Sequence, residues 1–221
     1  AAQMRKVADI HPLAGQPKGP GERGWQAFKS SSTRQQILEA AVRCIVKLGY
    51  ASTTTMVIAQ EAGLSRGATL HHFPSKIDII KATVDFLYEK RSRAVTNSAS
   101  QLPKDSDRVK LAVEAYWQQV NHPLFLAFFE LSVAARHDEE LRKILRPAQT
   151  KFDAEWYAVC QEAFPEWQDD PQAFSLAMSL SQKLMEGIAI SHLMHPRDKD
   201  EEQLLSFLEQ QIRELLPKQK S

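Results

Sequence analysis

Apolar residues recur at helical spacing along most of this chain, and no segment shows the period-two alternation that is typical of a strand. Between residues 33 and 49 the apolar positions fall on one helical face. They are Ile37, Ala41, Cys44, Ile45 and Leu48. Residues 32–35 (STRQ) and 33–36 (TRQQ) each fit a capping box, so we expect order and the first helix to begin near residue 31. Gly49 predicts the end of that helix.

The next two predicted helices are short and are joined by a tight turn. Thr54 can cap a helix that Gly63 ends, and Ser65 can cap another that Pro74 stops. Ser75 caps a fourth, longer helix. Two short helices around a turn indicate a helix-turn-helix, whose second helix enters the major groove of DNA.

Beyond residue 104 the pattern predicts five longer helices. Their ranges are 106–121, 123–136, 138–163, 171–194 and 199–216. Pro147 lies inside the third of them and should kink it. We therefore expect an all-α fold. A flexible basic tail over residues 1–30 is followed by an N-terminal helix-turn-helix domain over 31–80 and a larger C-terminal helical domain over 81–221.

The net charge of +1 conceals an uneven distribution. Residues 1–93 carry a net charge of +7, whereas residues 94–221 carry a net charge of −6. A basic N-terminal part indicates a module that binds a polyanion such as nucleic acid.

Composition places the chain among globular proteins, with 43% hydrophobic and 25% charged residues. No apolar run reaches the roughly 20 residues of a membrane helix, and the first residues lack the apolar core of a secretory signal. The two cysteines, Cys44 and Cys160, do not make a disulfide framework. We therefore expect a cytoplasmic protein without a membrane partner.

Several short motifs in residues 33–80 stand in a characteristic order. They are Ile37-Leu38-x-Ala40-Ala41, Gly49-Tyr50, Thr54, Ile58-Ala59, Ala62-Gly63-Leu64-Ser65, Gly67, His72-Phe73 and Lys76. In this order and spacing they resemble the N-terminal domain of the TetR family of bacterial repressors. Outside this segment the resemblance consists of helical character and total length.

The resemblance implies a set of DNA contacts. Thr54 would meet a phosphate, the first residues of the recognition helix would lie near base edges and backbone, and Lys76 would clamp a phosphate. The expected DNA-binding residues are Thr54, Ser65, Arg66, Gly67, Ala68, Thr69, His71 and Lys76. One departure is Leu70, which stands where the family usually has a tyrosine that grips the DNA backbone.

The resemblance also implies that residues 81–221 bind an effector and dimerise. A cavity among the middle helices would admit a small, largely apolar effector. Its expected lining residues are Trp117, Phe125, Phe128, Phe129, Trp156 and His192. The last two helices, the first of them rich in small residues, would pair with a second copy, and this homodimer would act as a repressor on a palindromic, double-stranded DNA operator.

Other functions stay open at this stage. No phosphate-binding loop, nucleotide-binding glycine motif, nucleophile elbow or zinc-type cysteine pair is present, so we expect neither an enzyme nor a cofactor. The alternatives are a regulator that senses redox state through Cys160, one that senses a metal through His192 and His195, and a helical ligand carrier. No further metal ligands cluster with the two histidines, so no metal site is predicted.

Overall fold

The computed structural model describes residues 22–103, 107–195 and 200–216, with side chains from residue 30 onward. Within these ranges the chain forms nine α-helices, one 3-10 helix and no strand. The α-helices are α1 (Glu22–Ser52), α2 (Thr55–Glu61), α3 (Arg66–His72), α4 (Lys76–Ser100), α5 (Arg108–Val120), α6 (Pro123–Ala134), α7 (Glu139–Ala163), α8 (Pro171–Ser191) and α9 (Glu201–Leu215). The all-α prediction is confirmed. None of the described helices has the length and apolarity that a bilayer crossing requires.

The first helix begins earlier than the sequence pattern predicts. It starts at Glu22 and passes through residues 32–36, so the capping boxes proposed there are wrong. No proline follows Pro20 until Pro74, and serine or threonine inside a helix lowers its stability only slightly. The flexible tail predicted over residues 1–30 is therefore wrong for residues 22–30, and its remainder, 1–21, lies outside the described residues.

Gly49 interrupts α1 as predicted. Its φ of 77° lies where only glycine is unstrained, and its ψ of 165° leaves the helical range. The Thr53 hydroxyl donates to the Gly49 carbonyl at 2.7 Å, which secures the chain as it turns toward α2. The last residues of α1 therefore take a different direction from the rest of the helix.

The described chain divides into two compact units that do not follow sequence order. The first comprises the residues up to Leu87 together with Leu126–Arg146, and the second comprises Tyr88–Phe125 and the residues from Pro147 onward. The predicted domain boundary at residue 80 stays a prediction. In the first unit α1, α2 and α4 bury one core cluster. Its buried members are Ile37, Leu38, Ala40, Ala41, Cys44, Ile58, Ala62, Phe73 and Ile79.

The longer helices α5, α7, α8 and α9 have ends that lie within three residues of the predicted ones. The α7 helix is continuous across Pro147 from Glu139 to Ala163, and the kink proposed there stays a prediction. A short 3-10 helix, Pro165–Asp169, was not predicted because its proline indicated only a break. It places Trp167 in a buried cluster with Phe174 and Ala177.

Candidate nucleic-acid interface and ligand cavity

The turn between α2 and α3 has the predicted local chemistry. The Thr54 side chain accepts a hydrogen bond from Val57 N at 3.2 Å, and Ser65 Oγ accepts one from Ala68 N at 3.1 Å. Gly63 has a φ of 66°, which permits the sharp turn between the two helices. Both caps and the turn are confirmed, and together they form the helix-turn-helix.

Contacts with α1 hold this motif in place. Ile58 and Phe73 are buried in the core of the first unit. Arg43 Nε lies 2.7 Å from Glu61 Oε1, and the hydrogen bond from Arg43 lowers the pKa of that carboxyl. The Gln36 amide donates to the Ala62 carbonyl at 2.7 Å. The motif is therefore anchored to α1 at the C-terminal end of α2 and packed through its buried core residues, so the position of α3 follows from α1.

The outer face of α3 carries most of the predicted base-reading residues. Arg66, Gly67 and His71 are exposed, and Ala68 and Leu70 are half-exposed. These side chains occupy successive turns of one short helix and are available to an approaching DNA groove.

Thr69 is the exception, and its assignment as a DNA contact is wrong. Its exposed fraction is 0%, and its hydroxyl donates to the Ser65 carbonyl at 3.2 Å. Position 69 lies on the inward face of α3, where a small side chain packs against the core. Thr69 therefore holds the recognition helix rather than reading DNA.

Lys76 has a partner within the protein that sequence analysis missed. Its ammonium donates to the Tyr50 carbonyl at 3.0 Å and lies 4.3 Å from the centre of the Tyr50 ring. Burial lowers the pKa of Lys76, and the nearby Asp138 carboxylate opposes that change. An ammonium has three N–H donors, so this hydrogen bond leaves two that can reach a phosphate.

Tyr50 joins three parts of the first unit. Its backbone N–H donates to Glu130 Oε1 and its hydroxyl donates to Asp138 Oδ2, each at 3.0 Å. Burial, followed by the contact with Asp138, raises the pKa of Tyr50 to about 12. Asp138 also caps α7, since its Oδ1 accepts from Leu141 N at 2.9 Å. The end of α1, the start of α4, α6 and the residue that caps α7 therefore meet at one residue.

The second unit contains a cavity of about 90 Å³ between α5, α7, α8 and α9, which we call the inner chamber. Its lining residues are Val109, Ala112, Val113, Tyr116, Trp156, Cys160, Phe164, Trp167, Phe174, Ala177, Met178, Ser181, Met185 and Ile212. An adjoining outer chamber of about 50 Å³ shares five of these residues. Beyond it lies an open groove of about 340 Å³ that shares Ser98, Ala115 and Gln119 with the outer chamber.

The structure brings few of the predicted ligand residues to these spaces. Trp156 lines both chambers and Phe125 lines the groove. Phe128 and Phe129 line none of the three, because they lie in the part of α6 that belongs to the first unit.

Trp117 and His192 also lie elsewhere, with their ring centres 5.9 Å apart in an edge contact. Neither residue lines any of these three spaces, so its role as a ligand contact, like that of the two phenylalanines, stays a prediction. Sequence analysis missed most of the lining residues, and Tyr116 is one that it could have found. Its position continues the inward face of α5 set by Val109 and Val113, so the helical period itself contained the signal.

The sensor alternatives gain no support from the described residues. Burial raises the pKa of the Cys160 thiol to about 12, whereas a redox-sensing cysteine needs an accessible thiolate. His192 is buried with Nε2 3.3 Å from Glu201, and His195 is exposed. No three potential metal ligands come together within residues 22–103, 107–195 and 200–216.

Two family models match the chain. The model described as "Bacterial regulatory proteins, tetR family" matches residues 37–83. The model described as "BetI-type transcriptional repressor, C-terminal" matches residues 105–217. The first matched segment contains the helix-turn-helix, and the second contains all the lining residues of the inner chamber.

Similar proteins are named as transcriptional regulators. An uncharacterized HTH-type transcriptional regulator of Mycobacterium tuberculosis is 26% identical over 188 residues, which is 83% of this chain and 94% of that protein. The HTH-type transcriptional regulator TtgR of Pseudomonas putida is 40% identical over 73 residues, 33% of this chain and 35% of TtgR.

Solved structures share the fold. The crystal structure of a TetR-family regulator from Rhodococcus sp. superposes with a TM-score of 0.63 at 22% identity, covering 84% of this chain and 100% of that one. The multidrug binding protein EbrR complexed with imidazole superposes with a TM-score of 0.60 at 21% identity, covering 86% and 93%.

Proposed function

The chain belongs to the TetR family of bacterial regulatory proteins and is a DNA-binding transcriptional regulator, and from this we propose that it is a homodimeric repressor released from its operator by a small, largely apolar effector. The observation that carries the proposal is the exposed outer face of α3, held in place by a buried inner face. The chambers of the second unit provide a separate site for the effector.

Base reading is assigned to the exposed side chains of α3. Arg66 can donate two parallel hydrogen bonds to a guanine edge, and His71 can contact a base or the adjoining backbone. Gly67 and Ala68 let the helix approach the groove closely because they add little bulk. Leu70 contributes an apolar contact where a tyrosine hydroxyl would have reached a phosphate.

Phosphate contacts are assigned to Thr54, Ser65 and Lys76. The two hydroxyl oxygens accept cap hydrogen bonds, and each hydroxyl still has its own hydrogen to donate. Lys76 supplies the positive charge. Contacts of this type position the protein on the duplex without reading its sequence.

A second copy of the chain is assigned to the surface near α8 and α9. Four of the seven large apolar side chains that are exposed in the described chain lie there: Leu176, Leu193, Met194 and Phe207. A two-fold axis through this surface would present two α3 helices to successive major grooves, roughly 34–36 Å apart. The operator would accordingly be palindromic.

Effector control is supported by the cavity and by a similar protein. EbrR, which has the same fold, is described as a multidrug binding protein in complexes with imidazole and malachite green. In this chain an effector in the chambers would favour a dimer whose α3 helices have the wrong spacing for the operator. Such coupling typically amounts to about 1–3 kcal/mol.

DNA binding is tested by fluorescence anisotropy on the DNA upstream of the chain's own gene, with a shuffled duplex as competitor. We expect the unaltered protein to prefer the upstream DNA, and Arg66→Ala to lose about 1–3 kcal/mol of that binding. The matched control is Lys110→Ala, which removes one exposed positive charge from α5 and should leave binding unchanged. Equal affinity for both duplexes would instead favour the ligand-carrier alternative.

A further inference from the structure

Four buried aromatic rings line the inner chamber and contact one another in pairs. Tyr116, Trp156, Trp167 and Phe174 are all buried. The rings of Tyr116 and Trp156 stack with centres 5.1 Å apart and planes 19° apart, and those of Trp167 and Phe174 are tilted at 5.8 Å. Ring faces and edges in such positions favour a flat aromatic ligand.

Three sulfur-containing side chains complete the wall. They are Cys160, Met178 and Met185. Sulfur is polarizable and contacts aromatic rings favourably, and methionine adapts its shape to the molecule beside it. The chamber therefore combines fixed rings with a side that can adjust to a ring-sized guest.

No Asp, Glu, Lys, Arg or His is among the described residues that line either chamber. The two hydroxyls of the inner chamber already donate within the protein: Tyr116 to Glu186 Oε1 at 2.9 Å, and Ser181 to the Ala177 carbonyl at 2.7 Å. The Gln182 amide also donates to Glu186 Oε1, at 3.4 Å. A charged ligand group would lose water here without meeting a free counter-charge, which is strongly unfavourable.

The volume of the two chambers limits the size of the ligand that they can hold. The inner chamber of about 90 Å³ and the outer chamber of about 50 Å³ share Ala112, Tyr116, Trp156, Cys160 and Phe164, and so adjoin each other. An apolar cavity of about 150 Å³ is known to take up benzene. The two chambers together are therefore suited to a single six-membered ring.

The open groove provides both a route and a polar end. It meets the outer chamber at Ser98, Ala115 and Gln119. The groove is also lined by Lys90, Arg91 and His122, whereas Ser98 and Gln119 stand where it meets the outer chamber. A ligand entering this way therefore passes the charged part of the groove first, and then a hydroxyl and an amide, before it reaches the apolar walls. A hydroxyl on the ring could exchange hydrogen bonds with either of them without carrying charge.

We infer that the two chambers bind a small uncharged compound with one aromatic ring, the ring lying in the inner chamber and a hydroxyl group near Ser98 and Gln119. This inference names the effector class for the proposed function, and it rests on that function only for the subsequent release of DNA.

Calorimetric titration of the full chain, without DNA, tests the inference with three probes that share a methyl-substituted ring. They are p-cresol, which is uncharged at pH 7, p-toluate, an anion, and 4-methylbenzylammonium, a cation. We expect the Kd of p-cresol to be at least about tenfold lower than that of either ion. Absence of p-cresol binding, or binding of an ion as tight as that of p-cresol, would overturn the inference.

Ala112→Leu locates the site, since residue 112 lines both chambers. Filling this space should weaken p-cresol binding at least about tenfold. The matched control, Ala154→Leu, adds the same atoms to an exposed position of α7 and should leave binding unchanged. Unchanged binding in Ala112→Leu would show that p-cresol binds elsewhere.

Gln119→Leu provides a second variant at a half-exposed position, in case Ala112→Leu does not fold. It should weaken p-cresol binding about fivefold through the lost hydrogen bond and leave toluene binding unchanged. Equal effects on both probes would contradict the assigned orientation.

Two results separate the inference from the proposed function. If the chain binds p-cresol but does not prefer its upstream DNA, the chambers remain a site for neutral aromatic compounds and the proposed repressor function is wrong. A protein that prefers the upstream DNA but binds no p-cresol would remain a regulator without this effector class.

Discussion

Tyr50 connects residues that are far apart in the sequence through hydrogen bonds made by three of its groups. Its carbonyl accepts from Lys76, its N–H donates to Glu130, and its hydroxyl donates to Asp138. Gly49 must remain small beside it, because a Cβ there would come within 2.9 Å of Glu130 Oε1. Any movement of α6 or α7 relative to α1 would stretch these bonds.

Tyr50→Phe removes only the hydroxyl and keeps the ring beside Lys76. Because the lost hydrogen bond goes to a carboxylate that water can also solvate, we expect the first unit to lose about 1 kcal/mol of unfolding free energy. Hydrogen exchange of the amides in α1 measures this loss.

The effect of Tyr50→Phe should depend on pH. Hydrogen bonds from Leu141 N and Tyr50 lower the pKa of Asp138, so their stabilisation is present above the unfolded value of about 3.9 and is lost as pH falls through the folded pKa. The difference between wild type and variant should thus be full at pH 7 and shrink in acid. Tyr157→Phe serves as control, because the Tyr157 hydroxyl makes no hydrogen bond in the described chain. It should change neither the unfolding free energy of the first unit nor the dependence of that free energy on pH.

At the scale of elements, α3 is too short to be stable alone. Seven residues form fewer than two turns, and isolated helices of this length do not persist in water. Its stability comes from the Ser65 cap, the buried Thr69 and the adjoining Phe73. Recognition therefore depends on residues that do not themselves face DNA bases.

Ser65 variants can separate helix stability from DNA contact. Ser65→Ala removes the cap and should cost α3 about 1 kcal/mol, seen as faster hydrogen exchange in residues 66–72 and weaker DNA binding. Ser65→Asp should restore the slow exchange because aspartate caps well, but it should bind DNA still more weakly because its charge repels phosphate.

Asp170→Ala is the matched control, since Asp170 Oδ1 caps α8 by accepting from Ala173 N at 2.9 Å. It should destabilise α8 by a similar amount without changing DNA affinity. If Ser65→Asp bound DNA as tightly as wild type, Ser65 would lie away from the phosphates.

Local features of these elements could be predicted from the sequence, whereas long-range ones could not. Thr54, Gly63 and Ser65 act on neighbouring backbone groups, so their roles follow from residue type and spacing. Thr69 is compatible with either face of a helix, and only the packing of α3 shows that it is buried. The bond from Lys76 joins residues 26 positions apart, and no local pattern specifies it.

The ligand cavity is another feature that the sequence predicted only in part. Aromatic residues of the second half indicated a binding site, but the space depends on which of them face one another after α5, α7, α8 and α9 pack. Trp156, which the aromatic composition indicated, lines both chambers, and its role as a ligand contact stays a prediction. Tyr116 and Trp117 are adjacent in sequence, yet their side chains point to different surroundings.

At the scale of the whole molecule, the surface near α8 and α9 leaves large apolar side chains exposed. Leu176 and Phe207 are each more than half exposed, and Met194 is 80% exposed. Exposed apolar groups on the described chain are otherwise few, which is the distribution expected where a second copy packs. Gly187, on the same α8 helix, has no atom within 4 Å of the position that a Cβ would occupy.

Gly187→Trp tests this pairing. Residue 187 is exposed and a Cβ there meets open space within one chain, so we expect the variant to fold with its helix content unchanged. Between two copies it would prevent close contact of the helices, and we expect the dimer to dissociate at least about tenfold more readily in analytical ultracentrifugation. Operator affinity should fall with it.

Lys151→Trp places the same ring on an exposed part of α7 and controls for nonspecific effects of a surface tryptophan. It should sediment as wild type does. A Gly187→Trp protein that remained fully dimeric would move the interface away from this part of α8.

The burial of Thr69 beneath the exposed face of α3 has an evolutionary consequence. The residues that hold the helix, Ser65 and Thr69, differ from those that face outward, such as Arg66, Leu70 and His71. Substitutions at the outward positions therefore leave folding almost untouched. Selection can retarget such a regulator to new promoters one residue at a time, without an unfolded intermediate along the way.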